Sequence, residues 1–305
     1  MAMAPSELPK PLALDAKRPS GTPRPVIGAG LAFPASIVVI LVMLVPALQL
    51  FRYSFNRYDS VNTMKAAFTL ENYSRFFGDS YYLGVLGTTL WVAALCTIIS
   101  LIVGFPVAYM LAKTQTRFKS LLIILLVFPL MVGNVVRSAG WMVVLGNAGF
   151  VNSLLHLLGL TDQPVRLLYT PFAVILGTTG VVLPYMILTL QSVLEGIDLS
   201  IEEAARNLGA GFFKTFFKIV LPIATPGVAA GTMLVFILCM NAYATPVLLG
   251  GTGITMMAPA VYDQISKTAN WPFGAALALI LMIVTLAGAL ASNMLIQRRY
   301  AKRMT

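Results

Sequence analysis

Residues 203–222 read EAARNLGAGFFKTFFKIVLP, a polar segment with two glycines lying between two long apolar runs. Its local grammar is that of a short helix followed by a turn. Ser200, three residues before Glu203, makes a capping box: the hydroxyl accepts from the N3 amide while the carboxylate reaches back to the cap amide. A helix is therefore expected to begin at about Ile201. Ile201, Ala205 and Leu208 recur at spacings of four and three and form an apolar face, while Glu202 and Arg206 pair at i,i+4 on another. Gly209 stands where a left-handed residue is wanted after the last turn, and Gly211 loosens the backbone before FFKTFFK resumes. The expected unit, 201–211, is too short to be stable alone in water and needs a surface to pack on.

The surroundings explain the setting. Of 305 residues, 58% are hydrophobic and 10% charged, and the mean hydropathy is +0.84. That composition lies outside the range of soluble domains. Crossing about 30 Å of hydrocarbon takes roughly 20 helical residues. Runs of that length occur at 27–51, 81–112, 118–145, 169–194, 219–249 and 272–296. Prolines inside them, such as Pro34, Pro46, Pro106, Pro129, Pro184 and Pro246, are tolerated because neighbouring helices and Ser/Thr side chains re-satisfy freed backbone groups. The expected class is all-α, with six transmembrane helices.

Charge assigns the sides. The two termini and the loops after the second and fourth spans hold 14 of the 21 basic residues; the opposite loops hold the rest, offset by Asp59, Glu71, Asp79, Asp162 and Asp263. Positive-inside then makes both termini cytoplasmic. The net charge of +10 is a topology signal rather than a nucleic-acid footprint. The proline-rich residues 1–26 read as a disordered cytoplasmic tail and 297–305 as a basic cytoplasmic tail, leaving 27–296 as the membrane domain. On the periplasmic side, TLENY (69–73) is expected to start a short helix, and 146–168 to contain a short amphipathic one.

Several chemistries find no residues. Cys96 and Cys239 fall inside spans and behave as small apolar side chains. His156, the sole histidine, has no second ligand or oriented nucleophile nearby. There is no GxxxxGK[ST] loop, so the chain cannot hydrolyse ATP itself, and no catalytic triad or paired-carboxylate pattern. No catalytic, metal or cofactor site is expected in this chain.

The spacing Glu203-Ala204-Ala205, Gly209, Ile219, Leu221-Pro222 resembles the EAA motif of binding-protein-dependent ABC importer permeases at every fixed position. Segments 135–155, 245–251 and 270–286 are similar to the spermidine/putrescine and opine branch. The resemblance implies a type I importer (MetI-like) fold and a transport subunit rather than an enzyme. It also implies a coupling helix at 201–211, with Glu203, Ala204, Ala205, Gly209, Leu221 and Pro222 as the ATPase-coupling residues. Implied partners are a second permease, two ATP-binding subunits carrying ATP and Mg, and a periplasmic solute-binding protein. The cargo implied is a polyamine, an opine or a related amine or amino-acid-like compound.

On the same resemblance, the pathway is lined mainly by the third to fifth spans, and its polar candidates are Asn134, Arg137, Asn241, Tyr243 and Thr245. Arg137 reads equally as an interfacial anchor, and Asn241 equally as a hydrogen-bonding link between helices. Asp263, in a periplasmic loop beside Tyr262 and Gln264, is the nearest attractor for a cation, or else a solvated loop charge. The six spans contain no Asp or Glu, an unusual lining for a polycation. A reading of another class, an ion-coupled secondary transporter, would require coupling-ion ligands near mid-membrane.

Overall fold

The computed structural model describes residues 25–114 and 116–304, so all but two residues of the expected N-terminal tail lie outside it. Two compact units are distinguished, divided between Gln49 and Leu50. The first contains most of α1 (Pro25–Ser54), whose stretch Ser36–Ser54 has a mean hydropathy of 2.0.

In the second unit the chain first makes a two-stranded hairpin, β1 (Arg57–Asp59) and β2 (Thr63–Lys65). Next comes α2 (Glu71–Gly78), the short helix expected from TLENY; the Thr69 hydroxyl accepts from its first amide at 3.1 Å. The Asp79 carboxylate accepts from the Tyr81 amide and caps α3 (Ser80–Lys113). With 34 residues, α3 is roughly 50 Å long, well beyond the hydrocarbon thickness, so one end must project from the membrane. α7 (Pro171–Glu195), capped by Thr170, packs along α3 over most of its length.

The third expected span, 118–145, is not one helix. α4 (Lys119–Met131) has 13 residues and stops at Val132, whose backbone is extended. α5 (Asn134–Leu145) then restarts after Gly133. Pro129 withholds a donor near the break, and the freed carbonyl of Val132 accepts from Arg137 Nη2 at 2.9 Å. α5 is followed after a glycine turn by α6 (Phe150–Leu157), the amphipathic helix expected within 146–168. The apolar length sufficient for a span lies in Asn134–Leu157, not in 118–145.

The fifth expected span, 219–249, is also broken. After α8 (Leu199–Asn207), α9 (Phe212–Ile223) meets α10 (Thr225–Met240) at a bend of 69°. The bend lies at Ala224, flanked by Pro222 and Pro226; Pro226 has no amide to donate and its ring crowds the carbonyl of Pro222. A π turn at Phe216–Val220 precedes it. α10 ends at Met240, and a separate helical piece with a π turn at Pro246–Gly250 follows. α11 (Met257–Tyr262), continued by a π turn at Asp263–Lys267, lies in what reads as a plain periplasmic loop. α12 (Trp271–Met304) is the last described element and carries the helix into the expected basic tail. Five stretches are long and apolar enough to cross a membrane, and six when α9 and α10 count as one.

The core lies where α3, α7, α10 and α12 meet, around Val92, Met186, Leu190, Val235, Met240 and Leu277. Close approach depends on small residues. A Cβ at Gly227 of α10 would stand 2.8 Å from Val193 Cβ of α7.

Candidate functional site

Helix α8 starts earlier than expected. Asp198, not Ser200, is the cap: its carboxylate accepts from the Ser200 amide at 2.9 Å, which places Ser200 inside the first turn. The capping box with Glu203 is accordingly not formed, and the helix covers Leu199–Asn207 rather than 201–211. That backbone hydrogen bond holds the Asp198 carboxyl below the usual range.

The C-terminal end of α8 follows the sequence reading. Gly209 has φ +79°, with its amide donating to Arg206 O at 2.9 Å and the Ala210 amide donating to Ala205 O at 3.0 Å. Those two bonds are a Schellman motif, and they close the last turn.

The expected apolar face of α8 is split, and so is the expected polar pair, since Arg206 is exposed. Ile201 is 41% exposed and Leu208 89%, whereas Glu202 is 3% exposed and Ala205 6%. Glu203 and Ala204 are exposed with Ile201, so the outward face combines two apolar side chains, a small residue and a carboxylate. The pull on Glu202 comes from α3. Tyr109 donates its hydroxyl to Glu202 Oε2 at 2.6 Å, and Lys113 Nζ stands 2.7 Å from Oε1. Burial pushes this carboxyl up, but Lys113 and Tyr109, with Arg206 adding its charge, outweigh that and leave it below the usual glutamate value. Tyr109 and Lys113 are one helical turn apart at the projecting end of α3, a spacing that could have been read as one polar face. Nothing in the sequence ties that face to Glu202.

Beyond Gly211 the aromatic residues continue the contact. Phe216 lies 5.2 Å from Phe105 and 5.9 Å from Tyr109, and Phe212 lies 6.2 Å from Tyr109, ring centre to ring centre. Leu221 and Pro222 are half-buried at the approach to the 69° bend. A second ion pair, Lys119 to Glu195 at 2.8 Å, joins the start of α4 to the end of α7.

Four of the six pathway candidates come together. Asn134, Asn241, Tyr243 and Thr245 line one cavity of about 310 Å³ with Thr178, Val181, Val182 and Tyr185 of α7 and Leu238 of α10. Thr245 is buried and shares a hydrogen bond of 3.2 Å with Ser138. The Asn241 amide donates to Ile237 O of its own helix at 2.9 Å, so it caps α10 rather than linking helices. Thr178 is 2% exposed, and its hydroxyl has no partner among the described residues. Neither Arg137 nor Asp263 lines this cavity. Arg137 donates to the Val132 carbonyl, while its Nε and Nη1 are buried without partners among the described residues; Asp263 pairs with Lys267 at 2.7 Å. Thr178 and Tyr185 were not singled out in the sequence, where nothing marks them among other span residues.

Comparison with known proteins identifies the family. The family described as "Binding-protein-dependent transport system inner membrane component" matches residues 94–304. The chain is 35% identical over 246 residues to the spermidine/putrescine transport system permease protein PotB of Escherichia coli (strain K12), covering 81% of this chain and 89% of that protein. PotB of Haemophilus influenzae (strain Rd) is 34% identical over 264 residues, covering 86% and 92%. The inner membrane ABC transporter permease protein YdcU of E. coli is 31% identical, covering 76% and 77%. Among solved structures, a bacterial ABC transporter involved in the import of the acidic polysaccharide alginate matches with a TM-score of 0.74 at 16% identity, over 90% of this chain and 96% of that one. A bacterial alginate ABC transporter in complex with an alginate pentasaccharide-bound periplasmic protein gives 0.75 at 16% identity, over 91% and 96%. At such identity the likeness concerns the fold, and the ion-coupled secondary transporter reading is displaced. The chain belongs to the binding-protein-dependent transport system inner membrane components: it is an ABC importer permease, a multi-pass protein of the inner membrane.

Proposed function

We propose that this permease imports a polyamine or a closely related amine, and that it couples to ATP hydrolysis through α8. The observation that carries the substrate class is the 35% identity to PotB over 81% of the chain. The cavity is compatible with it despite holding no carboxylate. Tyr185 and Tyr243 offer aromatic faces to an ammonium group, and Asn134, Asn241, Thr178 and Thr245 offer neutral acceptors. Neutral lining lets a cation pass without being trapped, as conduction through any site requires.

In this reading the chain pairs with a second, different permease, and two ATP-binding subunits carrying ATP and Mg dock on the cytoplasmic side. A periplasmic binding protein delivers the solute, and both termini are cytoplasmic. Glu203 and Ala204 face the ATPase subunit together with Ile201 and Leu208, and Ala205 seats α8 against the permease. Gly209 supplies the turn, while Leu221 and Pro222 set the entry into α10. Support for docking comes from the exposed apolar strip on a helix of nine residues, which needs a partner surface.

The test is uptake of labelled spermidine and putrescine into proteoliposomes holding the complete transporter. Saturable, ATP-dependent uptake that the periplasmic binding protein stimulates is expected. Transport of an amino acid or sugar with no response to polyamines would remove the substrate class.

A further inference from the structure

We propose that Glu202 is a positioning residue that clamps α8 to the projecting end of α3, so that displacement of α8 by the ATPase subunit is delivered to α3 instead of being absorbed by the loop. The proposal rests on the coupling reading of α8 given above.

Two adjacent glutamates take opposite faces of the same short helix. Glu203 is exposed, on the side of Ile201 and Ala204, whereas Glu202 is 3% exposed and turned toward the membrane helices. Both carboxylate oxygens of Glu202 are engaged from α3: Oε2 by the Tyr109 hydroxyl at 2.6 Å and Oε1 by Lys113 Nζ at 2.7 Å. The Lys113 ammonium in turn lies 6.0 Å from the centre of the Tyr109 ring. The three groups therefore form one cluster, and Tyr109 extends it to Phe212 and Phe216 on the far side of the Gly209 turn.

A clamp of this kind differs in mechanics from apolar packing. Apolar contacts are non-directional and can slide. A buried carboxylate that loses its partners is left with an uncompensated charge, so a two-point charged clamp resists separation and shear alike. α8 itself is tethered by Gly196–Asp198 on one side and Leu208–Gly211 on the other, links with no helical stiffness of their own. Without the clamp, a push on α8 is free to bend those links. With it, the push reaches α3, which packs along α7 and α10, the helices that supply Thr178, Tyr185 and Leu238 to the cavity.

The experiment uses the assembled transporter in proteoliposomes and compares Glu202→Ala, Glu202→Gln, Lys113→Met and the exchanged pair Glu202→Lys with Lys113→Glu. Three quantities are read: retention of the ATPase subunits on purification, ATP hydrolysis stimulated by loaded binding protein, and solute imported per ATP hydrolysed. Glu202→Ala is expected to keep its ATPase subunits and its stimulated hydrolysis while import per ATP falls by roughly tenfold. Glu202→Gln should fall less, since its amide oxygen still accepts from Tyr109. The exchanged pair should recover part of what Glu202→Lys alone loses. An unchanged ratio in Glu202→Ala, loss of its ATPase subunits, or an exchanged pair no better than Glu202→Lys would each overturn the clamp. Glu203→Lys serves as the separate control: if it keeps its ATPase subunits, the docking reading of the outward face fails, independently of the clamp.

Discussion

Lys113 and Glu202 form a 2.7 Å ion pair between the end of α3 and a helix that begins 86 residues later in the chain, at Leu199, and both side chains are largely shielded from solvent. The pair joins the last turn of α3 to the buried side of α8.

Removing Lys113 should cost more than removing a surface cation. Lys113→Met leaves a buried carboxylate with the Tyr109 hydroxyl and the more distant Arg206 charge but no ion-pair partner, with a penalty of about 3 kcal/mol. Thermal unfolding of the purified subunit in detergent checks this; Lys214→Met, on an exposed side chain, is the comparison and should lie within about 0.5 kcal/mol of wild type.

Acid should weaken the same contact. The groups facing Glu202 are Tyr109, Lys113 and Arg206, and together they hold its folded pKa below that of an unfolded glutamate. A depressed carboxyl contributes stability that is fully present above the unfolded value, about 4.3, and is lost as pH falls through the lower folded value. Melting temperature measured from pH 7 downward should therefore drop in that acid window for wild type, and Glu202→Gln should show a flatter profile.

Gly209 and Gly227 should fail for different reasons. At Gly209, φ is +79° and nothing lies within 4 Å of a built Cβ, so the cost is backbone strain alone, about 1 kcal/mol for Gly209→Ala. Asn should be tolerated better than Ala, and Val worst. At Gly227 the added methyl meets the branched Cβ of Val193 at 2.8 Å, and Gly227→Ala should cost about 1–3 kcal/mol by overpacking. ATPase-subunit retention reports the first series, and thermal unfolding the second.

Thr178→Val should separate transport from stability. The hydroxyl is buried without a partner, so its replacement by a methyl of similar shape is expected to leave the melting temperature unchanged or raised. Import of the cationic solute should fall about fivefold, the equivalent of one hydrogen bond. Undiminished uptake would exclude the cavity from the pathway.

Thiol labelling tests the orientation. Cysteines at Ser74 and Asp162, both exposed, should react with an impermeant reagent added to spheroplasts, and one at Ala210 only after the membrane is opened.

Much of the molecule was legible in the residues. Hydropathy is a property of consecutive side chains, and it counted the spans; the Gly209 turn needed only a residue free to adopt positive φ. The cap of α8 was misassigned within the same few residues, because Asp198 and Ser200 are both good caps and the earlier one captures the amide. Breaks inside apolar runs were less visible. Pro129 and Pro222 resemble the harmless prolines of other spans, and their effect depends on which carbonyls neighbouring groups can satisfy.

By itself, then, the sequence determined an all-helical membrane chain of five or six spans and a short helix closed by Gly209, since each follows from neighbours in the chain. Tertiary structure decided which face of that helix turns inward. By periodicity Ile201 and Leu208 share a face with Ala205, yet they are exposed while Ala205 and Glu202 are buried, because Tyr109 and Lys113 arrive from far along the chain to solvate the Glu202 carboxylate. The same holds for the cavity: Asn134, Thr178, Tyr185 and Asn241 share no local pattern, and they meet because α5, α7 and α10 pack around one space.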